Sequence, residues 1–90
     1  MQISDEALQF VKDTLGFRAR PYKNTKSQLC IGYNHVIAPG DGVADNDIIN
    51  AHKATSLLYE DIQKALVGVD VPKNITQDEF DTLVLSELLW

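Results

Sequence analysis

Two side chains of this 90-residue sequence have the chemistry of a reacting pair: Cys30, the single cysteine, and His35, five residues later. A thiol deprotonated by an imidazole is a nucleophile. In one extended strand, however, residues five apart face opposite sides and stand roughly 16 Å apart. Only a turn brings them together, so a small buried hydrophobe is the favoured reading of Cys30. His35 reads as a structural hydrogen-bonding residue in preference to a lone acid–base group. Asp41, Asp45 and Asp47 offer oxygen ligands to a hard cation, but the twelve-position calcium loop with its closing glutamate is absent. A solvated loop is the preferred reading, with no metal site and no cofactor. Arg18, Arg20, Lys23 and Lys26 form a basic run with no carboxylate among them, either the solvated face of a hairpin or a functional patch.

The elements that must position these groups are marked by local signals. Ser4 is placed to cap a helix over about 4–15, with Asp5 and Glu6 at its positive end. Ala7, Leu8, Val11 and Leu15 form its apolar stripe, and Gly16 stops it. Phe17, Tyr22, Leu29, Ile31 and Tyr33 suit short strands, giving a hairpin over about 17–35 that turns at Asn24-Thr25-Lys26-Ser27. Pro21 puts the first arm at an edge. Gly32 and Asn34 tolerate backbone angles awkward for other residues.

Residues 38–47 form a loop. Asn50 then caps a second helix over about 51–67, with Ala54, Leu57, Leu58, Ile62, Ala65 and Leu66 as its buried stripe. Thr76 and Glu79 have capping-box spacing, and Ile75 and Phe80 occupy staple positions, which starts a third helix over about 77–90. Phe80, Leu83, Val84 and Leu88 line one face of it. Leu85, Leu89 and Trp90 broaden that surface, which either folds back on the first two helices or forms an interface. The fold class is therefore α+β: a short β-hairpin packed with about three helices, in a single domain over residues 1–90.

Hydrophobic residues make up 44% of the chain and charged residues 23%, a balance of folded domains. The net charge of −5 disfavours nucleic acid, which demands clustered positive charge. There is no apolar run long enough to span a membrane and no signal-peptide pattern at the N-terminus. A lone cysteine rules out an intramolecular disulfide and fits a reducing compartment.

The segment Leu15-Gly16-Phe17-Arg18-Ala19-Arg20-Pro21-Tyr22-Lys23-Asn24, joined to Cys30-Ile31-Gly32-Tyr33-Asn34-His35, resembles the active-site signature of phage lysozymes of the T4 and P22 type. In that family a helix ends in glutamate-glycine. An arginine, a tyrosine and an aspartate follow, and a Thr-Ile-Gly-x-Gly-His strand closes the unit. Ala54, Leu57, Leu58, Asp61 and Ile62 resemble the family's next helix pattern. Residues 76–84 resemble the opening helix of its C-terminal lobe. The resemblance implies a lysozyme-like N-terminal lobe, truncated before the second wall of the substrate groove.

It also puts Leu15 at the family's catalytic glutamate, Asn24 at its aspartate and Cys30 at its threonine, while His35 is kept. Glycoside hydrolysis needs a carboxylic acid and a second carboxylate, and these degenerate positions supply neither. Asp13 lies roughly 200° around the helix from Leu15 and does not substitute. The expectation is therefore no enzyme. The chain reads as a non-catalytic phage or prophage pseudoenzyme that binds a host or phage protein, as an inhibitor in the host–virus interaction. The working surfaces would be the face of Phe80, Leu83, Val84, Leu88 and Trp90, or the basic run. A homo-oligomer fits the same face. The alternative is a peptidoglycan-binding protein or residual muramidase in host cell lysis, with Phe17, Tyr22, Tyr33 and His35 as retained cleft residues. A decayed gene product is the third reading.

Overall fold

The computed structural model describes residues 2–89. Its elements run α1 (Asp5–Leu15), β1 (Arg18–Lys23), β2 (Leu29–Gly32), β3 (His35–Val36), α2 (Ala51–Leu66) and α3 (Gln77–Leu89). The α+β class and the three helices agree with the sequence. Ser4 caps α1, its hydroxyl accepting from the Ala7 amide at 3.2 Å. Asn50 caps α2 through the Lys53 amide at 2.9 Å. The capping box closes both ways: the Glu79 amide donates to Thr76 Oγ1 at 3.2 Å, and the Thr76 amide donates to Glu79 Oε1 at 3.1 Å. Each bond satisfies an amide that the helix itself leaves without a partner.

The sheet is larger than the expected hairpin. It has three antiparallel strands in the order β1-β2-β3, because the chain reverses again at Tyr33-Asn34. Asn34 takes φ 60° in that turn. Ile31 consequently pairs with His35, and Cys30 with Val36. Cys30 and His35 are thus not separated along one strand; the turn folds them side by side in the ladder. They still face opposite sides, since directly paired residues share a face and neighbours alternate. β1 is an edge strand, and its register shifts between Arg18 and Tyr22, around Pro21. An irregular edge is where a residue without an amide hydrogen is tolerated.

Ile3, Ala7, Leu8 and Val11 pack against Leu58, Ile62, Phe80 and Val84 to make the main core. This corrects the interaction face. Phe80 is 4% exposed and Val84 0%, so the third helix folds back on the first two. Leu88 is half-buried against the same cluster, and Leu83 is half-buried beside Ile75 and Glu79. Trp90 lies outside the described residues. Gly32 lets the sheet approach α2: it has φ +69°, and a Cβ there would sit 3.1 Å from the Ala54 Cβ. Among the described residues no helix is long and apolar enough to cross a membrane.

Candidate functional site

Where α1 ends, the sheet and α2 leave an open groove in two connected parts. The inner part, about 320 Å³, is lined by Leu15, Tyr33, His35, Leu58, Asp61 and Leu88, among others. The outer part, about 530 Å³, runs along the hairpin past Arg18, Tyr22, Lys23, Asn24 and Lys26. Leu15, Asn34 and Val36 belong to both. Leu15 is half-buried against the core, so it extends the stripe of α1 and walls the groove at the same time.

The inner part holds the strongest polar cluster. His35 is 2% exposed, with Nδ1 2.9 Å from each carboxylate oxygen of Asp61 and Nε2 2.8 Å from Oδ2 of Asp41. β3 fixes the ring, α2 carries Asp61, and the loop after β3 returns Asp41. For both contacts to be hydrogen bonds, each needs a proton. A neutral ring carries only one, so it donates to one of the two carboxylates at a time. The carboxyls differ in tendency. Burial pushes Asp61 above the usual carboxylate range, against the pull of His35. Asp41 is held below it, first by the Ala38 amide at 2.7 Å and then by His35. Of the two carboxyls, Asp61 has the higher proton affinity.

The sequence singled out His35 as a hydrogen-bonding residue but not its two partners. Asp61 had a signal, since it occupies the aspartate position of the family's second helix pattern. Asp41 had none, because its bond depends on how the loop folds. The other loop aspartates stay apart from this site; Asp47 closes a turn by accepting the Ala44 amide at 2.8 Å.

Asn24 is engaged in the hairpin turn. Its Oδ1 accepts the amides of Lys26 at 2.9 Å and Gln28 at 3.0 Å, and its Nδ2 donates to Gln28 Oε1 at 3.0 Å and Cys30 Sγ at 3.4 Å. Cys30 is fully buried, and that burial pushes its thiol up, away from the nucleophilic thiolate. Of the expected cleft aromatics, Phe17 and Tyr33 pack with ring centres 5.8 Å apart and planes tilted by 54°, and Tyr22 donates to Asn34 Oδ1 at 3.3 Å. Arg18, Lys23 and Lys26 line the outer groove; Arg20 is exposed and does not.

The family model for phage lysozyme matches residues 12–86. The endolysin of Bacillus phage B103 is 35% identical over 88 residues, covering 93% of this chain and 32% of that protein. The chain thus spans about a third of that relative's length. Two solved structures are similar: a P22 lysozyme mutant, 30% identical with a TM-score of 0.69, and an endolysin from Escherichia coli O157:H7 phage FAHEc1, 28% identical with a TM-score of 0.77. They cover 93% and 98% of this chain, which covers 60% and 58% of theirs. This kinship with endolysins along nearly the whole chain overturns the expectation of a non-catalytic pseudoenzyme acting as an inhibitor or protein binder. It favours the lytic alternative instead. The chain belongs to the phage lysozyme family.

Proposed function

We propose that the chain acts on peptidoglycan, binding its glycan in the groove beside Leu15 and cleaving it as a slow muramidase in host cell lysis. Leu15, Asn24 and Cys30 stand at the family's glutamate, aspartate and threonine positions in this reading, so the proton donor lies elsewhere. Asp61 carries the proposal: it is half-buried, opens onto the inner groove, and is pushed toward its protonated form by burial. Asp41 is driven the other way, so Asp61 is the one of the two disposed to act as the acid.

Hydrolysis breaks the bond between the anomeric carbon and the bridging oxygen. Asp61 gives its proton to that oxygen as it leaves. Water adds its hydroxyl to the anomeric carbon, and its proton goes to the carboxylate that Asp61 has become, which restores the acid. Asp41, bonded to the far nitrogen of the ring, is a positioning residue. Without a second carboxylate against the sugar to stabilise positive charge, turnover is slow.

The test is release of new reducing ends from purified peptidoglycan by the intact chain, made in the host cytoplasm and supplied to the wall from outside. Slow, saturable release that disappears in a folded Asp61→Asn variant, with glycan binding retained, is the expected result. Release unchanged in that variant rules out Asp61. No release and no glycan binding overturns the peptidoglycan reading.

A further inference from the structure

The hairpin end of the groove carries charge that the proton transfer does not use. Arg18, Lys23 and Lys26 line it, and no carboxylate is among its lining residues. Among the described residues none of these three cations is in an ion pair; the ion pairs present are those of His35. Yet the chain carries 13 acidic side chains against 8 basic ones. Here the local field is opposite in sign to the net charge, and a concave wall concentrates it.

The groove also holds an aromatic ring, with a cation over one of its faces. The Arg18 guanidinium lies 5.0 Å from the centre of the Tyr22 ring. The Tyr22 hydroxyl is tied to Asn34, so the ring has a fixed attitude. Arg18 and Tyr22, at even spacing along β1, and Lys23 at the end of the strand all line the groove. The turn built on Asn24 holds the backbone of Lys26 at the other rim. A groove that combines an aromatic ring with cations and side-chain amides suits a sugar ring bearing an anion, with charge-assisted bonds to the anion and apolar contact to the ring.

We propose that the outer groove is a subsite for an anionic sugar, a glycan unit carrying a carboxylate or phosphate. Lys23, Lys26 and Arg18 hold the anion, and Tyr22 meets the ring. The proposal rests on the peptidoglycan reading above and names which part of the wall polymer the hairpin selects. The charge has two sources: carboxylates of the glycan–peptide strand, or phosphates of a polymer attached to it.

Binding of the intact chain is measured over a range of salt concentrations to four probes. These are peptidoglycan stripped of phosphate polymers, the same material with its carboxyls amidated, peptidoglycan retaining its phosphate polymer, and neutral chitin oligosaccharides. The subsite predicts about tenfold tighter binding to an anionic probe than to chitin, weakened by salt. It also predicts that a Lys23→Gln, Lys26→Gln double variant, exposed at both positions and so expected to fold, loses that tenfold advantage. Loss of binding on amidation supports the carboxylate source, and a requirement for the phosphate polymer supports the phosphate source. Equal affinity for chitin and anionic probes, or unchanged binding by the double variant, overturns the subsite and leaves glycan cleavage standing. Failure to bind any probe, together with no release of reducing ends, overturns both.

Discussion

Replacing Asp81 by alanine removes a buried carboxylate that ties the start of the chain to α3. Asp81 accepts the Ser4 amide at 2.9 Å, the Ser4 hydroxyl at 2.5 Å and Gln77 Nε2 at 2.8 Å. Hydrogen bonds to a charged group contribute roughly 1.5–3 kcal/mol each when buried. Gln77 is exposed and Ser4 only half-buried, so water replaces the Gln77 bond and part of the two Ser4 bonds. Counting the two Ser4 bonds at the lower end gives about 3 kcal/mol for Asp81→Ala. Asp81→Asn keeps the shape and one acceptor, and is expected to lose about half as much.

The pH dependence gives a second, independent readout. Burial pushes the Asp81 carboxyl up, but the Ser4 and Gln77 bonds together outweigh it and hold the group below its usual range. A carboxyl lowered in the folded state contributes stability above its unfolded pKa of about 4, and loses it as pH falls through the folded value. Urea unfolding followed by circular dichroism should therefore show the widest gap between wild type and Asp81→Asn at neutral pH. That gap should close in acid. A gap below about 0.5 kcal/mol at neutral pH, or one that persists unchanged into acid, would refute the reasoning.

Leu15→Glu supplies a carboxyl where both parts of the groove meet; a proton donor there should raise reducing-end release by about 10²–10⁴. No increase in a folded variant means that the glycosidic bond does not sit beside α1. Gly32→Ala combines a positive φ with a 3.1 Å approach to Ala54 and should cost about 2–3 kcal/mol in denaturant unfolding; a loss under 1 kcal/mol would mean that α2 shifts easily to accommodate it. Asn24→Ala removes both acceptor bonds of the hairpin turn and should cost about 1–2 kcal/mol. Amide hydrogen exchange should accelerate at Lys26 and Gln28 in that variant, and unchanged rates there would contradict the assigned bonds.

The features legible in the sequence are those whose cause is local. Ser4, Asn50 and the Thr76–Glu79 box each satisfy amides within three residues, so spacing alone locates the helix starts. The turn at Asn24 is of the same kind. The features missed depend on distant partners. Asp81 and Ser4 are 77 positions apart, and His35 and Asp61 are 26 apart. Nothing near Asp81 marks it as bonded, and the helix pattern that contains Asp61 does not name its partner. The apolar surface of α3 misled for a related reason: leucines surround the helix, so periodicity does not say which side is covered. The observed burial of Phe80 and Val84 answers that by packing, not pattern. The missing third strand follows from length, since two residues of ladder leave almost no alternation to read.

Leu15 illustrates why substitution at a family position is weak ground for denying activity. A leucine holds no proton, but it shares the inner groove with Leu58, Leu88 and Asp61, and apolar walls disfavour the charged form of a carboxyl. The same side chain that removes one acid thus helps the next carboxyl along the groove to remain an acid. Leu15→Ser separates these effects, because it admits water beside Asp61 without adding a titratable group. A general acid loses activity as pH rises through its pKa. With burial relieved, the alkaline limb of reducing-end release should move to lower pH, and the rate at neutral pH should fall. An alkaline limb that stays in place in Leu15→Ser would show that the walls of the groove do not set the proton affinity of Asp61.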